Sequence, residues 1–84
     1  MITLLYFARL REALGTGREQ IALPANVATL DALRAHLAAR GGEWAKEMAP
    51  GRNLRAAVNQ AVAVADASVK DGDEIAFFPP VTGG

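Results

Sequence analysis

The chain contains no cysteine. Disulfides, thiolate metal sites and a cysteine nucleophile are therefore excluded, and any sulfur chemistry on this chain must use another group. Histidine is nearly absent as well: His36 stands alone, with no second histidine or acidic pair near it. It reads as a solvated or boundary helix residue rather than a catalyst. No Ser/His/Asp set, no paired carboxylates and no metal-ligand spacing appear, so the sequence carries no catalytic constellation and no metal site. An excess of one charge is missing too, since nine basic residues balance nine acidic ones. That leaves no basic field for nucleic acid or for an anionic membrane. No apolar run approaches the roughly 18 residues of a membrane span. The opening Met1–Phe7 lacks the basic flank and cleavage site of a signal peptide. Together these absences predict a cytoplasmic chain that works with a protein partner or in a small-molecule pathway, not with nucleic acid or membrane.

What is present fits one small domain over residues 1–84, long enough for a modest core without staples. Ile2–Leu10 alternates as a strand, with Ile2, Leu4, Tyr6 and Ala8 on one face and Thr3, Leu5, Phe7 and Arg9 on the other. Leu5 and Phe7 make the second face apolar too, so it touches another layer or meets a partner. Arg11–Gly17 reads as a turn-rich link, without the spacing of a phosphate loop. Arg18–Leu23, closed by Pro24, is predicted to return as a hairpin partner. Thr29 is placed to N-cap a helix over Leu30–Arg40, with Asp31 in its first turn and Gly41 as its stop. Leu30, Leu33 and Leu37 form its apolar stripe. Glu43–Ala49 suggests a short second helix that brings Trp44 and Met48 over one end of the core.

Strands are then expected at Leu54–Gln60, more weakly at Ala61–Val64, and finally at Glu74–Phe78. Asp71-Gly72-Asp73 lacks the further ligands of a calcium loop and reads as the turn into the last strand. This order predicts an α+β layer in which one mixed sheet packs on a main helix, the final strand beside the first.

The last strand runs into Phe78-Pro79-Pro80-Val81-Thr82-Gly83-Gly84. Pro79 and Pro80 have no N–H and a fixed φ, so they end strand pairing and start a stiff, extended tail over residues 79–84. Val81 to Gly84 can reach about 13–14 Å when extended. Gly83 and Gly84, with no Cβ, fit a channel too narrow for any other residue.

The run Asp71–Gly84, with Phe77-Phe78-Pro79-Pro80-Val81-Thr82-Gly83-Gly84 at its end, resembles the terminal signature of the molybdopterin synthase small subunits. These are the sulfur carriers of molybdenum cofactor synthesis. Tyr6–Glu12 and Ala56–Gln60 resemble that family as well. The resemblance implies a ubiquitin-like β-grasp fold and a non-catalytic sulfur-donor subunit, with the active site on a large subunit. It implies docking through Phe7, Val62 and Phe78, and threading of Pro80, Val81, Thr82 and Gly83. Gly84 would carry the chemistry: its carboxylate becomes an acyl-adenylate on an ATP-dependent activating enzyme, then a thiocarboxylate with sulfur from a donor protein. No stably bound cofactor is implied. The sulfur would pass to cyclic pyranopterin monophosphate, two small subunits serving two large ones in a heterotetramer because the dithiolene has two sulfurs. The thiamine-pathway sulfur carrier and a ubiquitin-like protein modifier share the diglycine and are the alternatives.

Overall fold

The computed structural model describes residues 1–80. Its first strand, β1 (Ile2–Tyr6), buries Ile2, Leu4 and Tyr6 almost completely and leaves Thr3 and Leu5 half-buried on its other side. The alternation expected to Leu10 stops at Tyr6. Residues Ala8–Leu14 form a helix, α1, where strand and link were predicted. Ala8 takes a left-handed φ of 54° and turns the chain out of the strand. Leu10 then enters the core and Leu14 packs against it, an i, i+4 spacing that one face of a helix supplies and a strand also permits, so burial decides. Gly15, at φ 75°, closes α1 and donates its N–H to the Arg11 carbonyl at 3.0 Å, a left-handed cap that costs glycine nothing.

Strand β2 (Arg18–Ile21) returns antiparallel to β1, two residues shorter than the prediction, so the hairpin holds a helix in its connection. Helix α2 (Leu30–Ala38) begins at Thr29, whose hydroxyl accepts from the Ala32 N–H at 3.2 Å. Its Leu30, Leu33 and Leu37 are buried as one stripe. The helix closes at Ala38, capped by Ala39, short of the predicted Arg40. Gly41, expected as its stop, instead opens α3 (Gly42–Glu47) at φ 80°. Trp44 is half-buried there and Met48 is buried just beyond.

Strands β3 (Arg55–Val58) and β4 (Ala61–Ala63) flank a two-residue turn, Asn59-Gln60, with both residues left-handed at φ 50° and 72°. That conformation matches the twist of a hairpin, and it takes Asn59 and Gln60 out of the strand predicted for them. The last strand, β5 (Glu74–Phe78), lies between β1 and β3. The sheet order is β2-β1-β5-β3-β4, with β1 and β5 parallel and the other pairs antiparallel. Ile2, Leu4, Tyr6, Ile75 and Phe77 join the leucines of α2 in one core. This is the mixed sheet gripping a main helix, the α+β β-grasp arrangement. Among the described residues no helix is long and apolar enough to cross a membrane.

Candidate functional site

Because side chains alternate along a strand, burial of Ile75 and Phe77 on the α2 side puts Glu74, Ala76 and Phe78 on the other face. The pairing registers carry that face across the sheet. Arg18 of β2 stands opposite Leu5, Leu5 beside Ala76, Ala76 opposite Ala57, and Ala57 opposite Val62. One step toward the end of β5, Arg55 stands opposite Phe78. One step the other way are Gln20, Thr3 and Glu74, with the Gln20 amide donating to the Thr3 hydroxyl at 3.2 Å. The centre of the face is thus short and apolar, and polar groups stand around it.

Phe7 sits at the corner where β1 turns into α1 and is 48% exposed. Its N–H donates to the Phe77 carbonyl at 3.2 Å, which fixes the corner beside the end of β5. Phe7 is therefore the helix N-cap residue and not a continuation of the strand alternation. Val62, on the edge strand, is 70% exposed, whereas Phe78 is half-buried. Phe7 and Phe78 flank the point where Pro79 and Pro80 lead out of the sheet. Val81, Thr82, Gly83 and Gly84 lie outside the described residues. His36 is exposed on α2, remote in sequence from all of these.

Two polar assemblies brace this end of the molecule. Glu47, at the end of α3, is buried, and its Oε1 accepts from Arg9 at 3.0 Å and from Arg52 at 3.2 Å. Burial by itself would raise the Glu47 carboxyl, but the two guanidiniums outweigh it and hold the carboxyl below the usual glutamate range. The pair ties α1 and the approach to β3 onto α3. Arg34 of α2 reinforces the same junction by donating to the carbonyls of Met48, Ala49 and Arg52.

On the core side the Tyr6 hydroxyl donates to Glu19 Oε2 at 2.9 Å, and Arg40 donates to both Glu19 oxygens at 2.9 and 3.0 Å. Burial, then the Glu19 carboxylate, drives the Tyr6 pKa far above the usual phenol value. Arg40 in turn holds the Glu19 carboxyl low and lies 4.3 Å over the Trp44 ring, a cation–π contact. These groups hold the strand ends from the helix side and leave the open face to other uses. A cavity of about 280 Å³ lies on the helix side too, lined by Leu30, Asp31, Arg34, Ala56 and Phe77 and also by Arg55 of β3. Among the described residues no group of His, Asp and Glu side chains is arranged to hold a metal ion.

Alternation along the last strand already sets Ala76 beside Phe78. Sequence reasoning passed over Ala57, on the floor of the face, and the two arginines at its flanks, Arg18 and Arg55, whose signal was available only through register: each is unremarkable in its own strand and becomes part of the face through the residue opposite.

The comparisons with known proteins cover the whole chain. The profile of the ThiS family matches residues 4–84. The "Molybdopterin synthase sulfur carrier subunit" of Escherichia coli is 49% identical over 84 residues, all of this chain and all of that one. Among solved structures, a putative molybdopterin converting factor subunit 1 from Pyrococcus furiosus is 30% identical, with a TM-score of 0.76 over 95% of this chain and 97% of that one. A protein–protein complex of subunits 1 and 2 of the molybdopterin-converting factor from Helicobacter pylori aligns with a TM-score of 0.63 at 27% identity, over 99% of this chain and 97% of that one. The β-grasp sheet, the apolar open face and the Phe-Phe-Pro-Pro run thus meet in a chain that belongs to the ThiS family, among its molybdopterin synthase sulfur carrier subunits.

Proposed function

We propose that the chain delivers sulfur on its terminal Gly84 carboxylate to the large subunit of molybdopterin synthase. The observation that carries this reading is the 49% identity, over the full length of both chains, to a molybdopterin synthase sulfur carrier subunit. A carboxylate is a poor acyl donor until one oxygen becomes a leaving group. On an ATP-dependent activating enzyme the Gly84 oxygen attacks the α-phosphorus of ATP, expelling pyrophosphate and leaving an acyl-adenylate. A persulfide sulfur on a donor protein then attacks the acyl carbon and displaces AMP, giving an acyl disulfide; a second thiol reduces the S–S bond, is itself oxidised to a disulfide with the donor, and leaves the thiocarboxylate on Gly84. In the large subunit that sulfur goes to cyclic pyranopterin monophosphate, and two carriers supply the two sulfurs of one dithiolene. The carrier contributes no acid, base or metal to these steps. It contributes position.

The open face supports this division of labour. Phe7 and Val62 are exposed and Phe78 is half-buried beside Pro79, so a partner that covers the face also receives the start of the tail. Pro80, Val81, Thr82 and Gly83 would then thread the partner's channel. The relative solved in complex with subunit 2 supports the large subunit as that partner, and a heterotetramer of two carriers and two large subunits fits the sulfur count.

The test is reconstitution with activating enzyme, ATP, sulfur donor and large subunit. Mass spectrometry should find one terminal oxygen replaced by sulfur, and molybdopterin should form. Deletion of Gly84, or one residue added after it, should abolish both without altering the melting curve. Turnover by the extended variant would refute the reading. Isopeptide adducts on cellular lysines, or loss of thiamine synthesis instead of molybdoenzyme activity in a deletion strain, would replace it by the corresponding alternative.

A further inference from the structure

A chain of zero formal charge has its charges sorted along the strands. Where β1 and β5 end and the tail begins stand Arg9 and Arg11 of α1, with Glu12 among them, Arg18 at the start of β2, and Arg52 and Arg55 at the approach to β3. Where the same two strands begin stand Asp71, Asp73 and Glu74, with Lys70 and the Met1 amino group beside them. Some of these groups are already occupied. Arg9 and Arg52 hold Glu47, the Met1 amino group pairs with Asp71, and Asp73 accepts from the Lys70 N–H and from Asn59.

Arg18 and Arg55 remain. Both are exposed, and among the described residues neither guanidinium is in a salt bridge or a side-chain hydrogen bond. Each is fixed to the open face by register, Arg18 opposite Leu5 and Arg55 opposite Phe78. In sheet order they are separated by β1 and β5. At the usual spacing of about 4.8 Å between strands, and with Arg55 two residues further along its strand than the position in line with Arg18, their Cα atoms lie about 16 Å apart. That is more than a Debye length at physiological salt, so they act as two separate positive points with the Leu5, Ala76 and Phe78 surface between them. Arg11 thickens the first point: its side chain lies against Gly17, where an added Cβ would meet Arg11 Nε at 3.0 Å, and it shares an open depression with Leu5 and Arg18. The acidic residue of the face, Glu74, is on the row away from the tail.

We propose that Arg18 and Arg55 are electrostatic guides, which select and orient a protein partner whose docking surface has an apolar centre and a carboxylate on each flank. This rests on the reading of the open face as the surface that meets the large subunit, and it adds the partner's charge pattern. A partner with one central acid would satisfy neither arginine, and one with basic flanks would be repelled. Reversed by half a turn, a complementary partner would lay its carboxylates toward Glu74, so the pattern also sets the direction in which the tail is presented. Exposed charges at an interface rim act mainly on the rate of association and are screened by salt, while the apolar centre sets the rate of dissociation.

The experiment measures association and dissociation with the purified large subunit from the same organism by stopped flow, at about 20 mM and about 500 mM NaCl. Wild type, Arg18→Glu, Arg55→Glu, the double reversal and Phe7→Asp are compared, with melting curves to establish folding. The double reversal should slow association about tenfold or more at low salt, each single reversal by about threefold or more, with the difference gone at high salt and dissociation little changed. Arg18→Gln with Arg55→Gln should fall between wild type and the double reversal. Wild-type association by the double reversal at low salt, with binding lost in Phe7→Asp, would overturn the guides and leave the docking face standing. Faster association after reversal would overturn them as well, by showing a basic partner rim. Unchanged binding in every variant, Phe7→Asp included, would remove the docking face and the proposal with it.

Discussion

Ile75 and Phe77 point into the core at 0% and 2% exposure, while Ala76 and Phe78, their neighbours in β5, stand half-buried on the open face. Four successive residues of one strand are apolar, yet they answer to different demands. On the helix side, Phe77 stacks with Tyr6 at 6.3 Å between ring centroids, and Trp44 meets Tyr6 edge-on at 5.3 Å. Those side chains belong to, or pack against, the buried cluster of the chain. On the open side Phe7 and Val62 expose 48% and 70% of their surface, which folding alone does not reward. A strand with one free face would ordinarily alternate apolar with polar. The departure from that pattern at Leu5, Ala76 and Phe78 is what sets the second face apart from an ordinary solvent face, and it is why we propose that face as the docking surface.

The pair Phe77 and Phe78 puts this contrast to the largest test. Phe77→Ala should cost about 3–5 kcal/mol of folding stability, a large share of the roughly 5–15 kcal/mol available to a small domain. Phe78→Ala should cost about 1 kcal/mol or less in folding, and about 2–4 kcal/mol in affinity for the large subunit if it anchors the interface. Denaturant unfolding and titration calorimetry on the two variants separate the faces. Equal losses of stability would mean that the open face is a second core, and the contrast would collapse.

A smaller effect is expected where the faces meet, at Glu47. Its folded carboxyl is held below the ordinary value of 4.5 by Arg9 and Arg52 against the opposing effect of burial. A lowered folded pKa contributes stability above the unfolded value, and that contribution is lost as pH falls through the folded value. Stability should therefore decline below about pH 4.5 with a share due to this residue. The Arg9 and Arg52 side chains are 54% and 40% exposed, so water screens the pair and the full cost of breaking a buried ion pair does not apply. Glu47→Gln should lose about 1–2 kcal/mol at neutral pH and show a shallower acid limb in urea melts. An unchanged acid limb would show that the carboxylate is not held by its arginines in solution.

Much of this could be read in the residues, and the parts that could not share a cause. Thr29, the leucine stripe of α2 and the alternation of β5 are local signals, and each appears where periodicity and capping put it. Helix α1 was not legible because Tyr6-Phe7-Ala8-Arg9-Leu10 fits a strand equally well. What decides is the left-handed Ala8 and the burial of Leu10 by elements far along the chain. Glu47 looks like any acidic residue on a short polar helix until Arg9, 38 positions earlier, closes on it. Of the proposed site, Phe7, Val62 and Phe78 could be named from resemblance and Ala76 from alternation, whereas Ala57, Arg18 and Arg55 needed the strand order. Local chemistry sets the elements, and only their pairing sets the face.

The finest test of the two-face division is Tyr6, a core-face residue whose hydroxyl reaches the rim. Burial first, and then the hydrogen bond to Glu19, raise its folded pKa well above the ordinary value of 10.0. The protonated phenol is thus favoured in the folded chain, and its contribution is fully present below pH 10 and lost as pH rises beyond it, where only the unfolded chain ionises. By about pH 11 the loss should be about 1.4 kcal/mol. The chain has one tyrosine and no cysteine, so few other groups titrate in that window. Tyr6→Phe keeps the ring against Trp44 and Phe77 and removes one hydrogen bond, while Glu19 retains both bonds from Arg40. It should therefore cost about 0.5–1.5 kcal/mol at neutral pH, flatten the stability curve between about pH 10 and 11, and leave affinity for the large subunit unchanged. The same alkaline slope in the variant would show that neither burial nor Glu19 raises the Tyr6 phenol in the folded chain. A change in affinity would show that the helix side and the open face are coupled through β1, and the division between them would have to be redrawn.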